Sequence, residues 1–159
     1  MNDPSIRQAS MADLEALTTL FESYRHFYAQ PADPERAREF LRARFEHGQS
    51  NIFIAEDDDL ALGFVQLYPA FSSVSLARTF ILNDLFVLEL ARRRGVASRL
   101  LDAALDYASE CGAVRVTLST ALDNHSAQKL YESEGWQVDE QFRVYHFALA
   151  ARRSGRAAV

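Results

Sequence analysis

Apolar positions along this chain fall into short blocks that switch between two periods. Leu14, Leu17, Phe21, Tyr24 and Tyr28 recur every three or four residues, which predicts an amphipathic helix over 11–28. Pro31, Asp33 and Pro34 interrupt it, and residues 34–47 form a second, highly charged helix. Residues 51–56 and 60–68 read as strands, joined into a hairpin at the acidic turn Asp57, Asp58 and Asp59. A long central strand covers 79–88. Helical spacing then returns over 95–111, where Val96, Leu100, Leu101, Ala104, Leu105 and Ala108 share one face. Residues 114–120 form a strand and 124–134 a helix, and 136–140 with 142–149 form a closing hairpin. With a first strand opening at Ile6, the order is β-α-α-β-β-β-α-β-α-β-β.

This order restricts the topology. The strand–helix–strand unit over 79–120 requires a parallel pair with a right-handed crossover. The remaining neighbours are joined by hairpins, so the sheet is mixed and mostly antiparallel. No internal repeat, low-complexity block or linker divides the chain, and residues 1–149 read as one α/β domain. The tail over 150–159 falls outside the pattern and is expected to fray.

Composition and charge narrow the function more than the fold. The chain has 159 residues, 48% of them hydrophobic, enough for one soluble domain with a substantial core. Its net charge of −5 argues against a nucleic-acid partner held by phosphate contacts and is compatible with a cationic substrate. The single cysteine, Cys111, excludes an internal disulfide and is expected to pack at the end of the 95–111 helix. No stretch is long and apolar enough to span a membrane and no signal peptide opens the chain, so the expected location is the cytoplasm. His26, His47, His125 and His146 are scattered without metal-ligand spacing, so no metal is expected.

The chemistry concentrates where the central strand ends. Arg92, Arg93 and Arg94 precede Gly95, Val96, Ala97 and Ser98 at the start of a helix, in the form Arg-x-x-Gly-x-Ala. Gly95 can adopt backbone angles closed to other residues and lets a ligand approach the main chain. Free N–H groups, the positive end of the helix dipole and forked guanidinium donors then meet at one spot, which suits a pyrophosphate. A glycine turn with arginines is also common as a plain solvated turn, and the turn alone leaves both readings open. It is neither a Walker loop nor a three-glycine dinucleotide fingerprint.

A second pattern decides between them. Asn124, Ala127, Tyr131, Gly135 and Trp136 stand at the spacing Asn-x-x-Ala-x-x-x-Tyr-x-x-x-Gly-Trp, on a helix that Gly135 ends. Together with the arginine turn, it resembles the GCN5-related N-acetyltransferase superfamily, which transfers an acetyl group from acetyl-CoA to an amine. The segments 24–28, 63–68 and 81–87 are similar to the polyamine, thialysine and histone/polyamine branch of that superfamily. The resemblance implies an acyl-CoA N-acyltransferase fold: a mixed, mostly antiparallel sheet of six to seven strands, a central splayed parallel pair, and helices on both faces. It also implies acetyl-CoA as co-substrate, a small-molecule amine as acceptor and a homodimer.

The same resemblance distributes roles. Residues 92–98 would hold the coenzyme pyrophosphate, and Asn124 and Ala127 would line the pantetheine arm. Tyr131 would donate to the departing thiolate; taken without the motif, it reads equally as an amphipathic core tyrosine. A backbone N–H within Leu85, Phe86 and Val87, near a bulge, would polarise the thioester carbonyl.

A proton acceptor is also needed, because only about one alkylamine in a thousand is neutral at pH 7. In the polyamine branch a Glu-Asp pair occupies the place of Asn83 and Asp84. Asparagine cannot accept a proton there, so the acidic role passes to Asp84. Asp84 also reads as a strand aspartate paired with an arginine. Phe27, Tyr28 and Tyr68 could line an amine pocket, since cations bind over aromatic faces, while Phe27 and Tyr28 could equally be the apolar end of the first helix. Two other functions fit the same motifs: acetylation of a protein lysine or N-terminus, and a non-catalytic acyl-CoA-binding module.

Overall fold

The computed structural model describes residues 3–150 and 152 and divides the chain into two compact units, residues 1–124 and 125–159. The first holds β1 (Ser5–Gln8), α1 (Leu14–Phe27), α2 (Pro34–Glu46), β2 (Asn51–Asp57), β3 (Leu60–Ser72), β4 (Ala77–Val87), α3 (Val96–Glu110) and β5 (Val116–Thr117). The second holds α4 (His125–Ser133).

The five strands lie in sequence order in one sheet. β1 to β4 are antiparallel neighbours, and β5 runs parallel to β4. Alternation along the strands assigns the faces. Ile52, Ile54, Phe64 and Phe86 join Leu14, Leu17 and Leu20 of α1 and Leu41 of α2 in one core. Phe53 and Phe80 turn the other way, onto Tyr107 of α3, with ring centroids 5.5 and 5.8 Å away. Helices therefore cover both faces, as the resemblance implied.

Local chemistry explains the helix starts. Ser10 and Asp13 form a reciprocal capping box ahead of α1. Pro34 opens α2 behind Asp33, whose carboxylate accepts from the Arg36 N–H. α3 buries Val96, Leu100, Leu101, Ala104 and Ala108. Cys111 is exposed rather than packed, because Ala108 is the last buried residue of the helix and the cysteine stands beyond it.

The larger departure concerns the closing strands. Residues 136–148 carry no strand pairing, so the described sheet has five strands where six to seven were expected. The turn between the two expected strands does form, with Asp139 Oδ1 accepting from the Gln141 and Phe142 N–H groups. An isolated two-stranded ribbon is marginal in water without a further strand or packed face, and Phe142, Val144, Tyr145, Phe147 and Leu149 are all exposed. Leu149 is helical rather than the end of a strand. Of the tail expected over 150–159, Ala150 and Arg152 are helical and the rest lies outside the described residues.

Candidate active site

Two irregularities in the middle of the sheet shape the site. Gln66 pairs with Asp84 and Leu67 with Leu82, so β4 carries one extra residue, Asn83. This is a β-bulge, a device that re-aims side chains and increases local twist. On its other side β4 bridges β5 only at Phe80–Val116 and Ile81–Thr117. Past Ile81 the β5-side edge of β4, including Leu85, Phe86 and Val87, has no strand partner among the described residues. Gly63 lets β3 and β4 approach closely behind this segment: a Cβ there would come within 2.5 Å of the Phe86 carbonyl oxygen.

The bulge gathers polar groups around Asp84, which is only 3% exposed. Its carboxylate accepts from Gln66 Nε2 at 2.6 Å and from Asn83 Nδ2 at 3.1 Å, with the Tyr24 phenol close by. No arginine or lysine forms an ion pair with it among the described residues, so the reading of Asp84 as half of an arginine pair is not what the structure shows. Burial pushes the Asp84 carboxyl above the ordinary carboxylate range, against the pull of those donors. The nearby phenols rise as well: burial, then the Asp84 charge, moves Tyr68 up to about 12 and Tyr24 higher still.

Aromatic rings extend this cluster outward. Tyr24 meets Tyr28 at 5.1 Å and Phe86 at 6.2 Å, and Phe27 meets Tyr28 at 5.3 Å. Phe27 and Tyr28 are 56% and 47% exposed, so they are a rim rather than core. Tyr24 and Gln66 were not singled out as site residues from the sequence. The available signal for Gln66 is that it is the one amide in the apolar run from Leu60 to Tyr68.

At the end of β4 the arginine turn takes a defined shape. Arg93 (φ 61°) and Gly95 (φ 73°) both have left-handed backbones, with Arg94 at negative φ between them. Such sign alternation turns successive N–H groups toward one concavity, and α3 begins directly after Gly95. A Cβ built on Gly95 meets nothing within 4 Å, so the space beside it is open to a bulky anion.

The three arginines divide their work. Arg92 donates from Nε to the Val87 carbonyl at 3.0 Å, and its guanidinium lies 5.9 Å from both the Phe27 and Phe86 rings. Arg94 pairs with Asp57 at 3.2 Å. Arg93 makes no ion pair among the described residues. The backbone and side chains of the turn therefore fit a pyrophosphate-bearing co-substrate through N–H groups and Arg93, with Arg92 and Arg94 bracing the loop.

The second motif is divided between the units. Asn124 ends the first, its N–H donating to the Ala121 carbonyl at 3.0 Å. In the second unit α4 brings Ala127 and Tyr131 to one face by their four-residue spacing. Trp136 donates its N–H to the Tyr131 carbonyl at 3.0 Å, and the two rings lie 6.0 Å apart. No group of three or more His, Cys, Asp or Glu side chains that could hold a metal occurs among the described residues.

A strand that bulges at a buried acid, loses its parallel neighbour and runs into an anion-shaped turn is the frame of an acyl-CoA N-acyltransferase. The sequence comparisons agree: residues 15–136 match the sequence model of the Acetyltransferase (GNAT) family, and the chain belongs to that family. It is an acetyl-CoA-dependent N-acetyltransferase. An uncharacterized N-acetyltransferase of Bacillus subtilis, YhfO, is 47% identical over 148 residues, which cover 93% of this chain and 99% of that protein. The D-amino-acid N-acetyltransferase HPA3 of Saccharomyces cerevisiae is 30% identical over 132 residues, covering 80% of this chain and 81% of that protein. Among solved structures, the crystal structure of a probable acetyltransferase superposes with a TM-score of 0.87 at 46% identity, covering 91% of this chain and 97% of that one.

Proposed function

We propose that this chain acetylates a primary amine of a small molecule, polyamine-like or amino-acid-like, by direct attack on the thioester in a ternary complex. The observation that carries the acceptor class is Asp84, a buried carboxylate held by neutral donors and, among the described residues, by no cation. Burying a charge without a counter-charge is costly. A site that tolerates this cost beside Tyr24 and Tyr68 suits a ligand that brings the positive charge itself. The name of the yeast relative, a D-amino-acid N-acetyltransferase, supports a small amine acceptor. The segments 24–28, 63–68 and 81–87 support the polyamine-type branch.

Acetyl-CoA, when bound, supplies the activated acetyl thioester. On this reading the N–H groups and Arg93 of the turn over 92–98 hold its pyrophosphate. The open edge over Leu85, Phe86 and Val87 presents a backbone donor to the carbonyl, and Asn124 and Ala127 line the pantetheine arm. Asp84 draws in the ammonium and takes its proton, directly or through water, so that the neutral amine can attack. Phe27, Tyr28 and Tyr68 frame the amine, Asn83 fixes one Asp84 oxygen, and Tyr131 protonates the departing thiolate. We read residues 1–149 as one acetyltransferase domain, since the family match over 15–136 runs past the boundary at 124.

The test is thiol release from acetyl-CoA by the purified chain with polyamines, D- and L-amino acids, aminoglycosides and lysine-bearing peptides. Turnover with a small amine, at a kcat/KM at least about tenfold above the peptides, is expected. Turnover confined to peptides would move the acceptor to protein. Acetyl-CoA binding without release by any amine would leave a binding module.

A further inference from the structure

Gln66 lies directly across from Asp84 in the β3–β4 register and is fully buried, at 0% exposed. Its amide nitrogen is committed to Asp84 Oδ2 at 2.6 Å, while its amide oxygen has no hydrogen-bond partner among the described residues. Buried polar atoms are nearly always paired, so an orphaned acceptor beside the site's acid calls for a reason.

The chemistry of the amide offers one. A carboxylate only accepts hydrogen bonds, whereas a protonated carboxyl also donates. An arginine or lysine opposite Asp84 would hold it ionised, and an apolar side chain would favour the neutral acid. An amide serves both states: Nε2 donates to the carboxylate, and after rotation Oε1 accepts from the carboxylic O–H. The orphaned oxygen is the half of the amide that the ionised state leaves idle.

We propose that Gln66 is the positioning residue of the amine site, a two-way partner that keeps Asp84 hydrogen-bonded both before and after it takes a proton from the acceptor amine. This inference rests on the reading of Asp84 as the proton acceptor. The Tyr24 and Tyr68 hydroxyls can also donate or accept, but neither stands opposite Asp84 in the β3–β4 register, as Gln66 does. Tyr24 of α1 and Tyr68 of β3 are phenols held above their ordinary range, Arg44 of α2 acts on Tyr68, and Asn83 is exposed. Burial raises the Asp84 carboxyl and Gln66 is the first of the groups that lower it, so the amide offsets part of the burial.

Two measurements on the full chain test this. In the wild-type protein, NMR should show the Gln66 side-chain amide resonances titrating with the same midpoint as the Asp84 carboxyl carbon. In Gln66→Met, matched in length but unable to donate to the carboxylate, that midpoint should rise by about one to two pH units. The acidic limb of kcat/KM, measured with the best amine of the panel, should move with it, while acetyl-CoA binding and thermal midpoint serve as controls for folding. If Gln66→Met does not fold, the wild-type titration decides alone. Flat amide resonances across the Asp84 titration, or an unmoved midpoint in a folded variant, would overturn the role of Gln66. An acidic limb that persists in Asp84→Asn would instead overturn the reading of Asp84, which separates the two failures.

Discussion

At the scale of single residues, Asp84 carries two opposed consequences. Its folded-state carboxyl is raised above the ordinary 3.8 by burial, so the folded chain keeps its proton over a pH window in which the unfolded chain has lost it. The stability tied to Asp84 is therefore greatest in acid and is lost as pH rises through the folded-state value. Asp84→Asn should melt at a higher temperature than the native chain, with the gap widening as pH climbs through that window and constant above it. The same substitution should lower kcat/KM for a cationic amine by about 10²- to 10⁴-fold and flatten its rise with pH. A variant that gains no stability at pH 8 would contradict the buried, unpaired charge. Tyr131→Phe should behave differently: turnover falls about 10²-fold while the acetyl-CoA Kd stays within about twofold, measured by stopped-flow and calorimetry. Asp84 entered as a candidate through the resemblance at Asn83 and Asp84, and the structure adds its burial and its amide donors. Tyr24 and Gln66 were not legible, because a tyrosine at helical spacing and an amide in an apolar strand give no sign of which acid they will meet.

At the scale of elements, the site depends on how closely β3 approaches β4. Gly63→Ala places a methyl against the Phe86 carbonyl oxygen, a backbone atom that cannot rotate away. The expected cost is about 1–3 kcal/mol in denaturant unfolding, with a loss of turnover in the soluble fraction because the segment over 85–87 must shift. Gly95→Glu acts at the other end of the strand. It puts a Cβ and a negative charge where the backbone is left-handed and the turn presents donors, so acetyl-CoA binding by calorimetry should weaken by at least about tenfold. Most elements could be read from their patterns, because α1, α2 and α3 bury regular stripes and the β2–β3 hairpin consists of two continuously buried apolar runs joined by an acidic turn. The bulge at Asn83 could not be placed that way, since the adjacent polar pair Asn83 and Asp84 interrupts the apolar run without showing which residue is the extra one. The closing strands failed for another reason. Alternating apolar residues over 142–149 report a capacity to pair, and pairing also requires an edge to receive them.

At the scale of the whole molecule, that unpaired run bears on assembly. We read the chain as a homodimer: Phe142, Val144, Phe147 and Leu149 are between 67% and 76% exposed, and apolar strand-forming segments left uncovered invite pairing with another chain. Light scattering across micromolar concentrations should give twice the 18.0 kDa chain mass. A chain mass throughout would count against it, and a dimer mass retained in Val144→Lys would move the interface away from this run. Dimerisation through that run would make the protein subject to mass action. Its melting temperature would climb with protein concentration, and dilution alone would act as a denaturant of the paired state. Cellular abundance, rather than a bound effector, would then set how many chains are in working order.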